Sequence, residues 1–232
     1  MTVSNKPNWR ELPSPNHGPR RNGAAIDMLI IHYTGMTDTA VALRRLCDPS
    51  FTVSAHYLID EGGTVWRLVP EERRAWHAGT SFWAGESDIN SCSIGIELVN
   101  PGHGPNYRAF PDAQMMALEE LARGVLSRHS IPAHRILGHA DVAPDRKQDP
   151  GELFDWKRLA EAGVGLWPEP IASEEVNPTE FSKHMCKFGY ADSSSEAITA
   201  FQRHFHPTAI SGIADDETRA RLLTLVKKSG LG

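Results

Sequence analysis

A mostly apolar segment, IDMLIIHYT at residues 26–34, is the feature that most constrains the fold of this chain. It places β-branched and apolar residues in succession, a pattern typical of a strand buried inside a sheet. A buried strand requires other layers packed against the sheet. The segment also carries His32 near its end, so a polar ring follows a rigid apolar element, which is a common way to build a functional site.

Other segments predict a mixture of strands and helices around this strand. Residues 53–70 predict a hairpin, because two apolar runs flank the turn pair Gly62 and Gly63. Residues 110–131 give the clearest helix, with Asp112 as its cap and an apolar stripe that packs against the sheet. The other predicted elements are a helix at 38–48 capped by Asp38, strands at 92–100 and 134–140, and a helix at 155–163. The predicted class is α/β (α+β), with a mixed central β-sheet flanked by helices.

Composition shifts along the chain divide it into four predicted parts. Residues 1–25 are rich in Pro, Asn, Arg and Gly and predict an irregular N-terminal arm, and residues 26–167 hold the sheet domain. Residues 168–177 predict a linker, because prolines and an acidic pair interrupt any regular pattern. Residues 178–232 predict a small three-helix domain from pieces near 178–188, 193–206 and 214–228, with a core of Ile198, Phe201 and Phe205.

The charge and the apolar runs exclude several functional classes. The formal net charge is −5, which argues against nucleic-acid binding through a broad basic surface. The longest apolar run, at 28–31, is far shorter than the roughly 20 residues of a membrane span. The three cysteines are scattered and predict free thiols. The first residues show no apolar core of a signal peptide. If they are the native start, we expect a cytoplasmic protein, the alternative being an envelope protein whose export signal is missing here.

Two histidines and one aspartate form a candidate metal site. His32 and His139 each end an apolar strand, and Asp149 follows His139 by ten residues in the Pro- and Gly-broken segment GHADVAPDRKQDPG. Two imidazoles and one carboxylate suit a catalytic zinc ion whose fourth position is open. The spacing alone also fits histidines that serve only packing or hydrogen bonding. We expect His56 to be structural, the alternative being a group that supports the site. We expect surface or packing roles for the other histidines considered, which are His103, His129, His184, His204 and His206.

Four segments, in order, resemble the zinc-dependent N-acetylmuramoyl-L-alanine amidases of the amidase_2 class, whose fold is shared by peptidoglycan recognition proteins. The four segments are LIIHYTG at 29–35, SAHYLIDEGGTVWRLVPEERRAWHAG at 54–79, INSCSIGIELVN at 89–100 and GHADVAPDRKQDPG at 138–151. The resemblance covers residues 10–167. It implies that His32, His139 and Asp149 are zinc ligands.

The same resemblance implies roles for three further residues. Glu97 in GIELVN matches the catalytic glutamate of the family, Lys147 in RKQDP its catalytic lysine, and His77 in WHAG a residue of its substrate groove. Without the resemblance, Glu97 is equally consistent with an exposed strand position, and Lys147 with a solvated lysine in a charged loop.

The implied reaction is hydrolysis of the amide between N-acetylmuramic acid, or its 1,6-anhydro form, and L-alanine. The implied partners are muropeptides, with no nucleic acid and no membrane span. Residues 189–223 are similar to a three-helix peptidoglycan-binding domain. We expect cell-wall recycling. The alternatives are an envelope amidase acting on intact wall, a peptidoglycan sensor without turnover, and a zinc hydrolase of another amide.

Overall fold

The computed structural model describes residues 8–169 and 177–231. Its strands are Trp9–Glu11 (β1), His17–Pro19 (β2), Met28–Tyr33 (β3), Tyr57–Ile59 (β4), Val65–Arg67 (β5), Arg73–Ala75 (β6), Ser93–Leu98 (β7) and Ile136–Gly138 (β8). Its helices are Thr39–Cys47 (α1), Ile89–Cys92 (α2), Asp112–Arg128 (α3), His139–Val142 (α4), Trp156–Glu161 (α5), Pro178–Phe188 (α6), Ser195–Phe205 (α7) and Asp216–Lys228 (α8). Short 3-10 turns lie at Arg21–Gly23 and Ala133–Arg135.

Six strands form the central sheet, in the order β1-β5-β4-β7-β3-β8, and β2 pairs with β6 in a separate ribbon. Strand β3 runs parallel to both β7 and β8, while β4 and β5 form an antiparallel hairpin. The sheet is therefore mixed, and the predicted fold class is confirmed. The three parallel strands also end at the same edge of the sheet, which is where ligands bind in open sheets of this kind.

The buried strand β3 is covered on both faces, as its sequence predicts. Leu29 and Ile31 pack with α3 in one apolar cluster, and Met28 and Ile30 pack in another cluster on the opposite face. All four side chains are fully buried. Because side chains alternate along a strand, His32 points to the same face as Met28 and Ile30. That face carries the candidate site.

The predicted N-terminal cap is confirmed for α1 but not for α3. The Asp38 side chain accepts a hydrogen bond from the Val41 N–H, which confirms it as the cap of α1. Asp112 is instead the first residue of α3, and Pro111 occupies the capping position without a side-chain hydrogen bond. The carboxylate of Asp112 pairs with Arg158 of α5. The prediction of Asp112 as a cap was wrong because the extended backbone of Pro111 begins the helix one residue earlier.

The N-terminal arm is more regular than predicted. Strand β1 joins the central sheet next to β5, and β2 pairs with β6. The Arg20 side chain, just after β2, donates hydrogen bonds to the carbonyls of Glu71, Ser91 and Ser93. The arm is ordered over residues 8–25 because its backbone groups complete two sheets, a pairing that local sequence does not reveal. Residues 1–7 lie outside the described part.

Three helices follow the sheet domain where the sequence predicts them. Ile198, Phe201 and Phe205 are buried, as predicted for their core. The apolar cluster that contains them also includes Met28, Ile30 and other residues of the sheet domain. The three helices therefore pack directly on the sheet domain. The predicted linker at 168–177 falls mostly at residues 170–176, outside the described residues.

No helix within residues 8–169 and 177–231 is both long and apolar enough to span a membrane.

Gly189 tests the packing of the C-terminal helices on the sheet domain. It ends α6 at a φ of 143°, and a Cβ atom there would lie 2.3 Å from Cε2 of the buried Trp83 ring. We expect Gly189→Ala to lower the free energy of unfolding by about 2–4 kcal/mol, because the added methyl group meets a rigid ring at an unfavourable φ. Chemical denaturation of the full chain measures this change.

The matched control is Gly124→Ala in the middle of α3. A Cβ atom there would approach only the Nη1 atom of Arg128, at 3.3 Å, and that end of the side chain can move. The control should raise stability by up to about 1 kcal/mol, because alanine favours a helix over glycine. Equal changes in the two variants would contradict the packing described here.

Candidate active site

The candidate site lies at the carboxyl ends of three parallel strands. His32 of β3 is in register with Glu97 of the neighbouring β7. On the other side of β3, Gly138 ends β8 and is followed immediately by His139. Residues opposite each other in register point to the same face, so His32 and Glu97 enter one cavity. The pairing thus assembles residues that lie far apart in sequence.

His32, His139 and Asp149 meet around one point. The Nδ1 atoms of the two histidines lie 3.0 Å apart, and the Oδ2 atom of Asp149 lies 3.0 Å from His32 Nδ1 and 3.1 Å from His139 Nδ1. All three residues are buried. A tetrahedral metal ion with bonds of about 2.0–2.1 Å separates its ligand atoms by about 3.3 Å. This triangle therefore has the dimensions of a metal site.

The segment 138–151 begins with a short helical turn, and its two ends lie next to each other at the site. Residues His139–Val142 form α4, which the prolines and glycines of the segment did not predict. The Ala140 N–H then donates to the Asp149 carbonyl at 2.9 Å, so the two ends of the segment lie side by side. Beyond this turn, residues 143–151 are irregular, as their prolines and glycines indicate.

Partners behind the rings fix which nitrogen of each histidine faces the triangle. The Nε2 of His139 donates to the Ala78 carbonyl at 2.9 Å. The Nε2 of His32 lies 3.0 Å from His77 Nδ1, and His77 Nε2 lies 3.2 Å from the Ser93 hydroxyl. With both outer nitrogens protonated, both Nδ1 lone pairs are free to bind a metal, as outer partners of metal ligands commonly arrange.

His77 lies at the boundary between this supporting layer and the cavity. It lines the cavity, but it is largely buried and both ring nitrogens contact protein groups. Its ring rests on Gly95, where a Cβ atom would lie 2.4 Å from His77 Cγ, so only glycine leaves room for it. Its role in substrate binding stays a prediction. His77 also supports His32, through the contact between His77 Nδ1 and His32 Nε2. No pattern in the sequence indicates this contact.

Glu97 presents a buried oxygen without a partner. Its Oε2 atom has no hydrogen-bond partner within the described parts of the chain. Burial and the nearby Asp149 carboxylate raise the pKa of Glu97 well above its ordinary value, and the Lys147 ammonium opposes the rise. A bound cation would oppose it further. A carboxylate in this setting is suited to take up and hold a proton.

The charges of the triangle are set by burial and by mutual contact. Burial and the neighbouring His139 lower the pKa of His32 to about 4, so this ring is neutral at pH 7. Burial alone would raise the pKa of Asp149, but contacts with His139 and His32 outweigh it and hold that pKa below its ordinary value. A neutral imidazole and an ionised carboxylate are the forms that bind a metal.

One cavity of about 290 Å³ contains the triangle and both candidate catalytic residues. Lys147 and Glu97 line it together with the three triangle residues. Helix α1 also lines the cavity and contributes Arg45, which was not singled out from the sequence because it lies on an ordinary amphipathic helix. The cavity is large enough for part of an extended ligand and open to solvent at its mouth.

His56 does not line the cavity, and both of its ring nitrogens contact protein backbone groups. Its Nδ1 accepts a hydrogen bond from the Gly95 N–H at 2.9 Å, and its Nε2 lies 3.0 Å from the Arg73 carbonyl. Burial and the Arg20 guanidinium lower the pKa of His56 to about 3. These contacts agree with the structural role expected for His56.

Comparison with known proteins points to one family. The sequence model of a family described as N-acetylmuramoyl-L-alanine amidase matches residues 22–152, more than half of the chain. The chain is 38% identical over 234 residues to N-acetylmuramoyl-L-alanine amidase AmiD of Escherichia coli, covering 88% of this chain and 84% of that protein. It is 35% identical over 167 residues to 1,6-anhydro-N-acetylmuramyl-L-alanine amidase AmpD of Haemophilus influenzae, covering 64% of this chain and 89% of that one.

Solved structures agree with this similarity over nearly the whole chain. The complex of E. coli AmiD with the substrate anhydro-N-acetylmuramic acid-L-Ala-D-γ-Glu-L-Lys matches with a TM-score of 0.81 and 36% identity, covering 95% of this chain and 94% of that chain. AmpDh3 of Pseudomonas aeruginosa in complex with anhydromuramic pentapeptide matches with a TM-score of 0.81 and 32% identity, covering 90% and 94%. The chain belongs to the N-acetylmuramoyl-L-alanine amidase family.

Proposed function

We propose that this protein is a zinc-dependent N-acetylmuramoyl-L-alanine amidase. It hydrolyses the amide bond between N-acetylmuramic acid, or 1,6-anhydro-N-acetylmuramic acid, and L-alanine. The observation that carries the proposal is the triangle of His32, His139 and Asp149 beside Glu97 in one cavity. A peptidoglycan sensor without turnover would need none of these groups held together.

The donor set favours zinc as the metal. Two imidazole nitrogens and one carboxylate oxygen are typical of catalytic zinc sites that keep an open fourth position. When bound, zinc supplies a Lewis acid that polarises the scissile carbonyl and acidifies water. The buried, mutually facing ligand atoms support this assignment, since an ionised carboxylate without a cation would be costly to bury.

Glu97 and Lys147 carry the proton and charge steps. Glu97, whose carboxylate lines the cavity, takes a proton from the attacking water and passes it to the departing amine of L-alanine. The nearby Lys147 ammonium and a bound cation favour the ionised form of Glu97, which is the form that accepts the proton. Lys147 lines the same cavity, and its ammonium stabilises the negative charge that develops on the carbonyl oxygen.

The substrate class follows from the relatives. The AmiD and AmpDh3 structures hold an anhydromuramyl peptide, and AmpD is a 1,6-anhydro-N-acetylmuramyl-L-alanine amidase. We propose muropeptides released from the wall as substrates, in a recycling role. The cytoplasmic location and the glycan-binding role of residues 178–232 stay predictions.

Loss of one ligand tests the metal site. We expect Asp149→Ala to weaken zinc binding on the order of 100-fold or more, because it removes the only anionic member of the triangle. Metal analysis after dialysis against zinc-buffered solution measures the bound zinc. Asp145→Ala is the control, since it removes an exposed carboxylate from the same loop. Equal zinc content in both variants would remove Asp149 from the site.

Digestion of defined muropeptides tests the reaction. The zinc-loaded protein should release an intact peptide that begins with L-alanine, from substrates with and without the 1,6-anhydro end, as detected by mass spectrometry. Glu97→Gln should keep zinc and lose about 10²–10⁴-fold in kcat, because the proton acceptor is gone. Glu120→Gln, an exposed change on α3, should leave kcat unchanged. If the zinc-loaded protein releases peptide from neither substrate, the proposed function is refuted.

Removal of the Lys147 ammonium tests its effect on the transition state. We expect Lys147→Met to lower kcat by about 10²–10³-fold with a smaller effect on KM, because the lost charge acts mainly on the developing oxyanion. Steady-state kinetics on one muropeptide separate the two parameters. Lys157→Met, on the exposed side of α5, is the control. A rise in KM with unchanged kcat would show that Lys147 only binds substrate.

A further inference from the structure

Asp141 is a buried carboxylate close to the metal site that is not one of the candidate ligands. It lies two residues after His139 in α4 and is 2% exposed. Its Oδ2 atom accepts a hydrogen bond from the Gly138 N–H at 2.7 Å. Gly138 directly precedes His139, so this bond closes the turn that presents the His139 ring. A carboxylate accepting from a backbone N–H at the start of a helical turn stabilises that turn.

The other hydrogen bonds to Asp141 come from the C-terminal helices. The Tyr190 hydroxyl, just after α6, donates to Asp141 Oδ1 at 2.6 Å. The Nδ1 of His204, in α7, lies 2.7 Å from Asp141 Oδ2. Both side chains are buried. Burying a carboxylate without hydrogen-bond partners costs free energy. The donors from Tyr190 and His204 offset that cost, so Asp141 can remain buried and accept the hydrogen bond from Gly138.

Stacked aromatic rings connect His204 to the backbone at Gly138, where the turn of α4 begins. The His204 ring stacks on Trp156 with centroids 3.7 Å apart and on Phe205 with centroids 3.6 Å apart. Trp156 in turn lies against Gly138, where a Cβ atom would be 3.3 Å from Trp156 Cζ2 and 2.7 Å from Pro150 Cδ. His204 is therefore held in one orientation, with its Nδ1 directed at Asp141.

The same helix also contacts the part of the loop that follows Asp149. Ala200, Arg203 and His204 of α7 border a gap of about 10 Å³ together with Gly138 and Pro150. That volume has room for no more than about one water molecule, so the fit is close. Helix α7 thus packs on both ends of the segment that supplies His139 and Asp149.

We propose that the C-terminal helices are a structural part of the metal site, with Tyr190 and His204 acting as positioning residues that hold His139 through Asp141. This inference rests on the proposed metal site. It assigns to the C-terminal helices a role separate from the predicted binding of glycan: the metal affinity of the sheet domain depends on their contact with α4.

Zinc affinity of the full chain tests the proposal. The variants are Tyr190→Phe, which removes one oxygen atom, and the double variant Tyr190→Phe with His204→Phe, which keeps an aromatic ring in the stack. We expect the double variant to bind zinc on the order of 10-fold more weakly, as for other outer partners of metal ligands, and Tyr190→Phe to show part of that loss. Competition with a chromophoric chelator measures the dissociation constant, and the visible spectrum of the Co²⁺-substituted protein reports ligand geometry.

The matched control is Gln202→Met in the same helix. Gln202 is fully buried, and the partners of its side chain among the described residues lie in the α7–α8 connection, at Ser211, Gly212 and Ile213, and in α8, at Thr218. It should lower thermal stability at least as much as Tyr190→Phe, yet leave the zinc dissociation constant within about twofold of the starting protein.

Two outcomes would overturn the inference. One is unchanged zinc affinity and an unchanged Co²⁺ spectrum in Tyr190→Phe and in the double variant. The other is an equal loss of affinity in Gln202→Met, which would mean that any destabilisation of these helices acts in the same way. If the double variant does not fold, as judged by circular dichroism, Tyr190→Phe alone decides. Failure of the unmodified protein to bind zinc is a separate result, which would refute the proposed metal site and this inference with it.

Discussion

The parallel pairing of β3 with β7 and β8 is the constraint on which the site depends. It sets His32 opposite Glu97 and places Gly138, which precedes His139, at the same sheet edge. A shift of one residue in either register would turn the histidine or the glutamate to the other face, into the apolar layer under α3. The apolar residues on both faces of β3 make such a shift costly. The packing of the sheet core thereby fixes the geometry of the polar site.

Around this frame, the histidines of the site have hydrogen-bond partners behind their rings. His139 is held by the Ala78 carbonyl and His32 by His77, while the Glu97 side chain lines the cavity. Asp141 brings the C-terminal helices into the same network. Because the side chains that would bind the metal are already fixed by packing and hydrogen bonds, they lose little conformational entropy on binding.

Much of this could be predicted from the sequence. The buried strand, the hairpin, the cap at Asp38 and the three C-terminal helices follow from apolar periodicity and turn residues, which act over a few positions. The candidate ligands came from a histidine near the end of β3, another directly after β8, and the resemblance of four ordered segments. The predictions that failed concern longer-range contacts. Asp112 pairs with Arg158 instead of capping α3, and the arm at residues 8–25 adds strands by pairing with partners some 55 residues away.

The sequence by itself determined the fold class, the order of the elements and the identity of the residues that meet at the candidate site, because strand and helix patterns and the four motifs are local. Only the tertiary structure decided how those residues are held. It placed His77 behind His32, directed Asp141 toward Tyr190 and His204, and packed the C-terminal helices on the sheet domain. The physical reason is that hydrogen bonds between residues 45 to 63 positions apart depend on three-dimensional packing, which leaves no periodic pattern along the chain.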